Sequence, residues 1–590
     1  MSHGPGAASR APRRRLAFGL GALVVILAGI GWLAVRGLAA EHRLTVAKAA
    51  ILALRADLLA GRSAAVHTDL VAAQSAAAAA DADTHDPVWF AVSFLPPVQT
   101  VRGLTEVTDT LARRVLPELA EVGPTVTPAR LRVGPHTIAL APLEAAAAPL
   151  AAADAAVAVA DARAHRLPGG WVGPIGAARA SFLRQLDGLA GSLDTAARFA
   201  RIGPAMLGAD GPRTYFVGVQ NNAESRGTGG IVGAFAVLSA DHGTLRITAR
   251  GTDHDLRSPP APVADLGPDF AAAYGQNDAT DFWLSTNLSM NFPYAGQLWT
   301  SMYEAQSGQR IDGAIGLDPV ALADLLAATG PVRVPSTGDL LTPANVVALT
   351  EQEAYVRYAS FSDQSARKAF LNAVAAAVTS RLLSGSGSAR ALASALGHAA
   401  GTGHLELYSA HPDEQAVIAG TPLGGQIPDD HRPFAAFAVD NAYGDKLDYY
   451  LERSLSYTAG GCAGPTRTST ITIRLTNTAP LGGLPPYVRI RSDLHPVRAD
   501  ASPVDGLLMF VYASSGAGFL RATLDGTPID LMPLAERGHP MFETQLAVEP
   551  GRTATLTITV REPTWPGAPE TFVQPLVNPE AVTFAVPRCP

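Results

Sequence analysis

The sequence predicts a multidomain chain: a single N-terminal transmembrane helix, an α-helical membrane-proximal region, an α/β layered middle domain and a C-terminal β-sandwich. Three observations predict it. Residues 16–35 run for 20 positions without a charge. The stretch up to about residue 205 is alanine-rich, with apolar residues three and four apart. Beyond it strands and helices alternate, and from about residue 421 short strands spaced by turns take over. At 590 residues the chain is too long for one core, since a domain takes about 100–200 residues. The expected division is a basic tail at 1–15, the membrane helix at 16–36, a helical extracytoplasmic region at 37–205, an α/β domain at 206–420 and a β-sandwich at 421–590.

The membrane element comes first. Its uncharged run matches about 30 Å of hydrocarbon at about 1.5 Å per helical residue. Arg10, Arg13, Arg14 and Arg15 precede it, and the positive-inside bias keeps that end in the cytoplasm. The expectation is a single-pass cell-membrane protein with a cytoplasmic N-terminus and its bulk outside. The alternative is a cleaved signal peptide, for which Ala34, Ala39 and Ala40 offer small residues; the run is longer than a usual signal core, and both readings export the rest. A cytoplasmic tail of 15 residues has no room for the output domain of a sensor. A net charge of −7 supplies no basic field for nucleic acid. Cys462 and Cys589 are the two cysteines. In an oxidising compartment they read as one disulfide, with two unpaired thiols as the alternative, and no histidines flank them at zinc-ligand spacing.

Leu44, Ala47, Ile51, Leu54 and Leu58 form one apolar stripe, predicting a helix over 41–82. Asp86-Pro87 and Pro96-Pro97 break the pattern, and further helices fit 98–119, 143–163 and 175–201. This region reads as a spacer packing on the next domain, or as a sensory bundle. Strands are expected at 213–219, 231–238 and 245–249, the last two joined by the turn Asp241-His242-Gly243, and at 313–317 and 332–334. Helices are expected at 294–306, 319–328, 344–356 and 365–383, with Ser384-Gly-Ser-Gly-Ser388 as a flexible loop. The β-sandwich is expected from strands at 468–476, 507–512, 519–524 and 553–560, with turns at Asp525-Gly526 and Glu549-Pro550-Gly551.

No Walker A loop, G-x-S-x-G elbow or H-E-x-x-H helix is present, and the glycine-rich run from Gly227 to Gly233 leads into β-formers, which argues against a dinucleotide site. The densest polar cluster is Gln220-Asn221-Asn222-Ala223-Glu224-Ser225-Arg226-Gly227-Thr228-Gly229-Gly230. It follows a buried strand, where α/β sheets present ligands. Its carboxamides, carboxylate, guanidinium and free backbone N–H groups suit a phosphate or metal–phosphate; the alternative is a polar turn capping its own backbone. A second cluster is Arg250, Asp253, His254 and Asp255, whose two aspartates suit a shared Mg²⁺ or an ordinary polar loop. A third joins Tyr355, Arg357, Tyr358, Asp363 and Arg367, whose arginines suit phosphate clamping or simple solvation.

Gln220-Asn-Asn-Ala-Glu224, Arg226 and Thr228-Gly-Gly230 resemble the signature of a bacterial domain-of-unknown-function family numbered four thousand and twelve. Further matches are Arg310-Ile-Asp-Gly-Ala-Ile-Gly-Leu-Asp-Pro319, Ala328-Thr-Gly-Pro-Val332, Lys446-Leu-Asp-Tyr-Tyr450 and Asn477-Thr-Ala-Pro480. Asp86-Pro-Val-Trp89 with Leu95-Pro96 is similar to the helical region of longer members. That family has no settled activity. More remotely, the middle domain resembles the LytR-CpsA-Psr phosphotransferases, through residues 311–334 and through 349–357 with Asp363 and Arg367. That resemblance implies transfer of a glycan from a polyprenyl-pyrophosphate lipid to the cell wall, with Mg²⁺ and arginines on the pyrophosphate. It implies catalytic roles for Arg226, Glu224, Arg357 and Arg367, ligand binding by Asn221, Asn222, Thr228, Gly229 and Arg250, and Asp253 as metal ligand. The family's Arg-Ser-Asp-Thr is here Arg226-Gly-Thr-Gly229, so one metal-binding aspartate is missing, and its Arg-Asp pair is spread from Arg250 to Asp253. Two expectations follow. One is a Mg²⁺-dependent glycopolymer phosphotransferase of the envelope; the other is a non-catalytic module binding glycan, glycolipid or protein in polysaccharide assembly or export.

Overall fold

The computed structural model describes residues 11–60, 63–134, 136–169, 171–384, 387–499 and 502–589. The chain is multidomain, with helices, mixed sheets and a strand-rich C-terminal region. Its contacts divide it into two compact units: residues up to Val133 with Ala139–Pro204, and Gly134–Ile138 with Ala205–Pro590.

The first unit is helical. α1 (Ala11–Ala60) runs without a break through the uncharged segment; the side chains of residues 11–26, and the tail through Arg10, lie outside the described residues. The helix expected over 41–82 is divided between α1 and α2 (Ser63–Thr84). Ala47 and Leu54 of the expected stripe are buried against Val66, Ala73 and Ala77. Beside that apolar seam, Arg43 Nε meets the buried Asp83 at 3.0 Å, and Trp32 donates to Asp86 at 2.6 Å. α3 (Pro96–Arg114) begins with proline in its first turn, where the missing N–H costs nothing. α4 (Ala141–His165) and α5 (Gly173–Met206) complete the bundle. Among the described residues α4 is the one helix long and apolar enough to cross a membrane. Its Ala153, Val157, Ala160 and Ala164 are buried with Val107, Leu183, Leu186 and Leu193, so one face of the helix packs in the bundle while Val159 on another is exposed.

The second unit opens with β1 (Arg213–Asn221), β2 (Ile231–Asp241) and β3 (Thr244–Thr252), followed by β4 (Gly313–Leu317) and β5 (Leu405–Ser409). They lie in the order β3-β2-β1-β4-β5. β1 and β4 are parallel, and the other pairs are antiparallel. The β2–β3 turn places His242 at φ 45° and Gly243 at φ 77°, the left-handed pair that matches strand twist in a tight hairpin. One sheet face buries Phe216, Phe235, Val237 and Ala314 against Trp283, Trp299 and Tyr303. α6 (Phe292–Ser307) supplies Trp299 and Tyr303, and Gly218 admits the Trp299 ring, which would lie 2.8 Å from a Cβ there. The expected helix at 344–356 forms with a π-helical turn, Leu349–Glu353, in its middle, a distortion common where a side chain must be re-aimed.

The C-terminal strands are β6 (Ala435–Asn441), β7 (Leu451–Ala459), β8 (Thr466–Asn477), β9 (Asp505–Ala513), β10 (Gly518–Leu524), β11 (Thr527–Ile529), β12 (Met532–Glu536), β13 (His539–Val548), β14 (Thr553–Pro563) and β15 (Ala581–Ala585). One sheet runs β6-β9-β13-β12 and another β11-β10-β14-β8-β7-β15. Phe437, Val439 and Val511 from the first share a core with Leu455, Ile471, Ile473 and Ile558 from the second. Every residue of β6 and β9 is buried, because their other face packs on Phe270, Tyr274 and Leu298. A disulfide joins Cys462 to Cys589, with Cα atoms 5.5 Å apart and the two positions 127 apart in sequence.

Candidate functional site

The polar loop between β1 and β2 is held by its own side chains. Gln220 Oε1 accepts from Thr228 Oγ1 at 2.6 Å and from Asn287 Nδ2 at 3.0 Å. Asn221 Nδ2 donates to Glu224 at 2.8 Å and to the Tyr355 hydroxyl at 2.9 Å. Asn222 Nδ2 donates to Asp318 at 3.2 Å and to the Pro575 carbonyl at 3.1 Å. Arg226 spends its guanidinium on the carbonyls of Leu284, Ser225 and Asn441, at 2.8, 2.8 and 3.1 Å. Gly229 sits at φ 129°. A Cβ on Gly230 would fall 1.9 Å from the Asn221 carbonyl oxygen. Gly230→Ala is therefore expected to cost about 1–3 kcal/mol or more in overpacking, read as a lower urea midpoint. Gly233→Ala, whose Cβ would meet nothing nearer than 3.7 Å, is the control and should change stability by under about 1 kcal/mol.

The charged residues assigned by sequence do not all meet in one place. Glu224 is bonded by Lys446 Nζ at 2.7 Å. Arg367, only 2% exposed, lies 3.8 Å from the Tyr487 ring centroid and 5.2 Å from that of Tyr355. Its NH1 donates to the Tyr358 carbonyl at 2.8 Å. Glu224, Asn221 and Arg367 thus gather around Tyr355, Tyr487 and Lys446. Arg357 instead grips Asp339 with two bonds of 2.7 and 3.0 Å and lies over Phe370. Asp253 gives both oxygens to Lys368, at 2.6 and 2.7 Å. Asp255 turns back to cap Thr252 N at 2.8 Å, so the two aspartates do not converge. With Asp253 held by an ammonium and Glu224 by Lys446 and Asn221, these residues do not fit the Mg²⁺ that the resemblance implies. Arg226, Arg357 and Arg367 likewise have protein partners and do not form one clamp.

Glu351, from the π-turn, accepts from Ala223 N at 2.8 Å. Burial pushes its carboxyl up to about 8, with the charges of Asp318 and Glu224 adding to the rise. The folded chain therefore holds a proton that the unfolded chain releases. Its contribution to stability is present at low pH and is lost as pH rises from the ordinary value of 4.5 toward 8. Glu351→Gln is expected to flatten the fall of the unfolding free energy between those limits, by an amount on the order of a few kcal/mol, and so to flatten the fall of the melting temperature with pH. An unchanged slope in a thermal scan series would contradict the assignment.

The other face of the β3-β2-β1-β4-β5 sheet is not packed shut. Val217, Val219, Leu238, Ile247, Ile315 and Leu407, at every second position, are only half-buried and line a cavity of about 330 Å³. Its roof includes α7 (Pro319–Thr329), α8 (Gln364–Leu383) and α9 (Ala389–Gly401). α8 presents Asn372, Ala375, Ala376, Thr379 and Leu382, spaced along one helical face. Three of these are small, and that leaves the space open. Two lining residues are ionisable. Glu406 is buried, and burial raises its carboxyl well above the usual range, with Asp318 adding to the rise. Arg250 is exposed and, among the described residues, makes no ion pair. Of the residues assigned by sequence, Arg250 alone lines this cavity. Apolar residues on both faces of the strands signalled burial, and no sequence feature separated a packed face from a hollow one.

No curated protein matches the chain. Residues 210–355, which carry β1 to β4, the polar loop and the π-turn, match a family model described as Protein of unknown function (DUF4012).

Proposed function

We propose that this chain is a membrane-anchored extracytoplasmic envelope module that binds the prenyl chain and phosphate of a polyprenyl-linked glycan. In this reading residues 16–35, within α1, form the anchor with a cytoplasmic N-terminus, and residues 421–590 are a β-sandwich available to glycan or protein. The observation that carries the proposal is the apolar cavity of about 330 Å³ with Arg250 as its exposed cation. Its size lies within the range of about 300–1,000 Å³ usual for ligand pockets. Burying apolar chain there gains about 25 cal/mol per Å², and a guanidinium suits a phosphate headgroup. Binding is favoured over transfer because Glu224, Arg226, Arg357, Arg367 and Asp253 already have protein partners.

The test is binding of a polyprenyl phosphate, and of the matching prenyl alcohol, to the full-length protein in nanodiscs. Both should bind. Arg250→Ala should weaken the phosphate about ten-fold or more, as expected for a charged hydrogen bond, and leave the alcohol unchanged. Binding of neither would overturn the proposal. Mg²⁺-dependent release of lipid phosphate from a pyrophosphate-linked glycan would replace it with the phosphotransferase reading.

A further inference from the structure

β6 runs into the segment Asp440-Asn441-Ala442-Tyr443-Gly444-Asp445-Lys446-Leu447-Asp448, and Asp505 opens the neighbouring strand β9. One carboxylate oxygen from each of Asp445, Asp448 and Asp505 lies within 4.8 Å of the others, and the three residues are 1%, 2% and 0% exposed. Donors fix the two loop aspartates by one oxygen each. Asp445 Oδ1 accepts from Asn441 Nδ2 and Leu447 N, both at 3.0 Å. Asp448 Oδ2 accepts from Ser225 N at 2.6 Å and from Asn441 Nδ2 at 2.9 Å. Among the described residues no backbone N–H or cationic side chain donates to Asp445 Oδ2, Asp448 Oδ1 or either oxygen of Asp505, and Asp448 and Asp505 face each other closely enough to share a proton. A separate chain segment adds a further oxygen. The Ser225 hydroxyl is fully buried, faces the Asp448 carboxylate and has no other partner among the described residues.

Four carboxylate oxygens without such donors in a dry interior are costly unless a proton or a cation neutralises them. The neighbouring protein cations are committed elsewhere. Lys446 Nζ donates to Glu224 and to the Gly444 and Asp445 carbonyls. Arg453 donates to Gln574 and Asn578 and faces Glu580 at 3.8 Å. We propose that Asp445, Asp448 and Asp505, with the Ser225 hydroxyl, form a buried Ca²⁺ site. Ca²⁺ takes oxygen ligands at about 2.3–2.6 Å, so ligands across the ion stand up to about 5 Å apart, consistent with this cluster. The donor set contains no nitrogen or sulfur, unlike sites for softer metals. Mg²⁺ keeps several waters of its own, for which a site this deeply buried is poorly suited. The ion joins the polar loop, the β6–β7 connection and β9, so it fastens the family-matched segment to the strand-rich region.

The test uses full-length protein stripped with a chelator, dialysed against micromolar Ca²⁺ and analysed for metal content and thermal stability. One equivalent of Ca²⁺ should be retained, and millimolar Ca²⁺ should raise the melting temperature by about 5 °C or more over chelator. The same concentration of Mg²⁺ should give well under half that shift. Asp505→Asn should lose the bound metal and the shift. Asp187→Asn, at the exposed Asp187 of the Asp161, His165 and Asp187 group, should keep both. If Asp505→Asn does not fold, the wild-type response decides. Stripped wild type that regains no Ca²⁺ and melts at one temperature with Ca²⁺ or chelator would overturn the assignment, as would an equal response to Mg²⁺.

Discussion

Replacing Lys446 by methionine is expected to destabilise the second unit by about 3 kcal/mol or more, since removing one partner of a buried pair strands the other charge. Lys446 is 4% exposed, bonds Glu224 at 2.7 Å and lies 5.0 Å from the Tyr487 ring centroid. Glu224 would keep only the bond from Asn221. Adding Glu224→Gln should recover most of the loss, because Gln removes the stranded charge. The pair of single variants and the double variant form a cycle whose coupling term is read from urea unfolding. A double variant no more stable than Lys446→Met would mean that the ammonium acts chiefly through the Gly444 and Asp445 carbonyls, to which it also donates.

Filling the cavity should abolish lipid binding without unfolding the chain. Ala376 lines the cavity from α8 opposite the sheet, so Ala376→Trp places an indole where the prenyl chain would lie. Binding of polyprenyl phosphate should fall ten-fold or more, about 1.4 kcal/mol. The melting temperature should fall little, because the added ring enters open space rather than a packed core. Arg250→Ala acts only on the phosphate; Ala376→Trp should remove phosphate and alcohol alike. Unaltered binding by Ala376→Trp would place the lipid elsewhere.

Much of the fold was legible in the residues. Apolar, β-forming runs located β1, β2 and β3, and the Asp241-His242-Gly243 turn forms the hairpin it suggested. β6 and β7 went unread. β6 is short, alanine-containing and buried on both faces, so it shows no alternation. The polar loop was located but its use was not. Asparagines, a glutamate and an arginine among glycines look alike whether they serve a ligand or their own backbone, and here Asn287, Asp318, Tyr355 and Lys446 from distant segments decide it. Arg357 and Arg367 suited phosphate clamping or simple solvation alike. Helical register sends one to Asp339 and the other between two tyrosines, positions set by residues far away in sequence. The aspartate cluster was illegible for a similar reason: Asp505 reaches Asp445 and Asp448 only because β9 pairs with β6.

Photo-crosslinking tests the binding account most directly. A prenyl phosphate carrying a benzophenone near its tail would be irradiated with the full-length protein in nanodiscs, and the labelled peptides mapped. The account predicts label within residues 217–247 and 372–382, lost on competition with unlabelled prenyl phosphate and in Ala376→Trp. Label confined to other segments, or label that competitor does not displace, would contradict it.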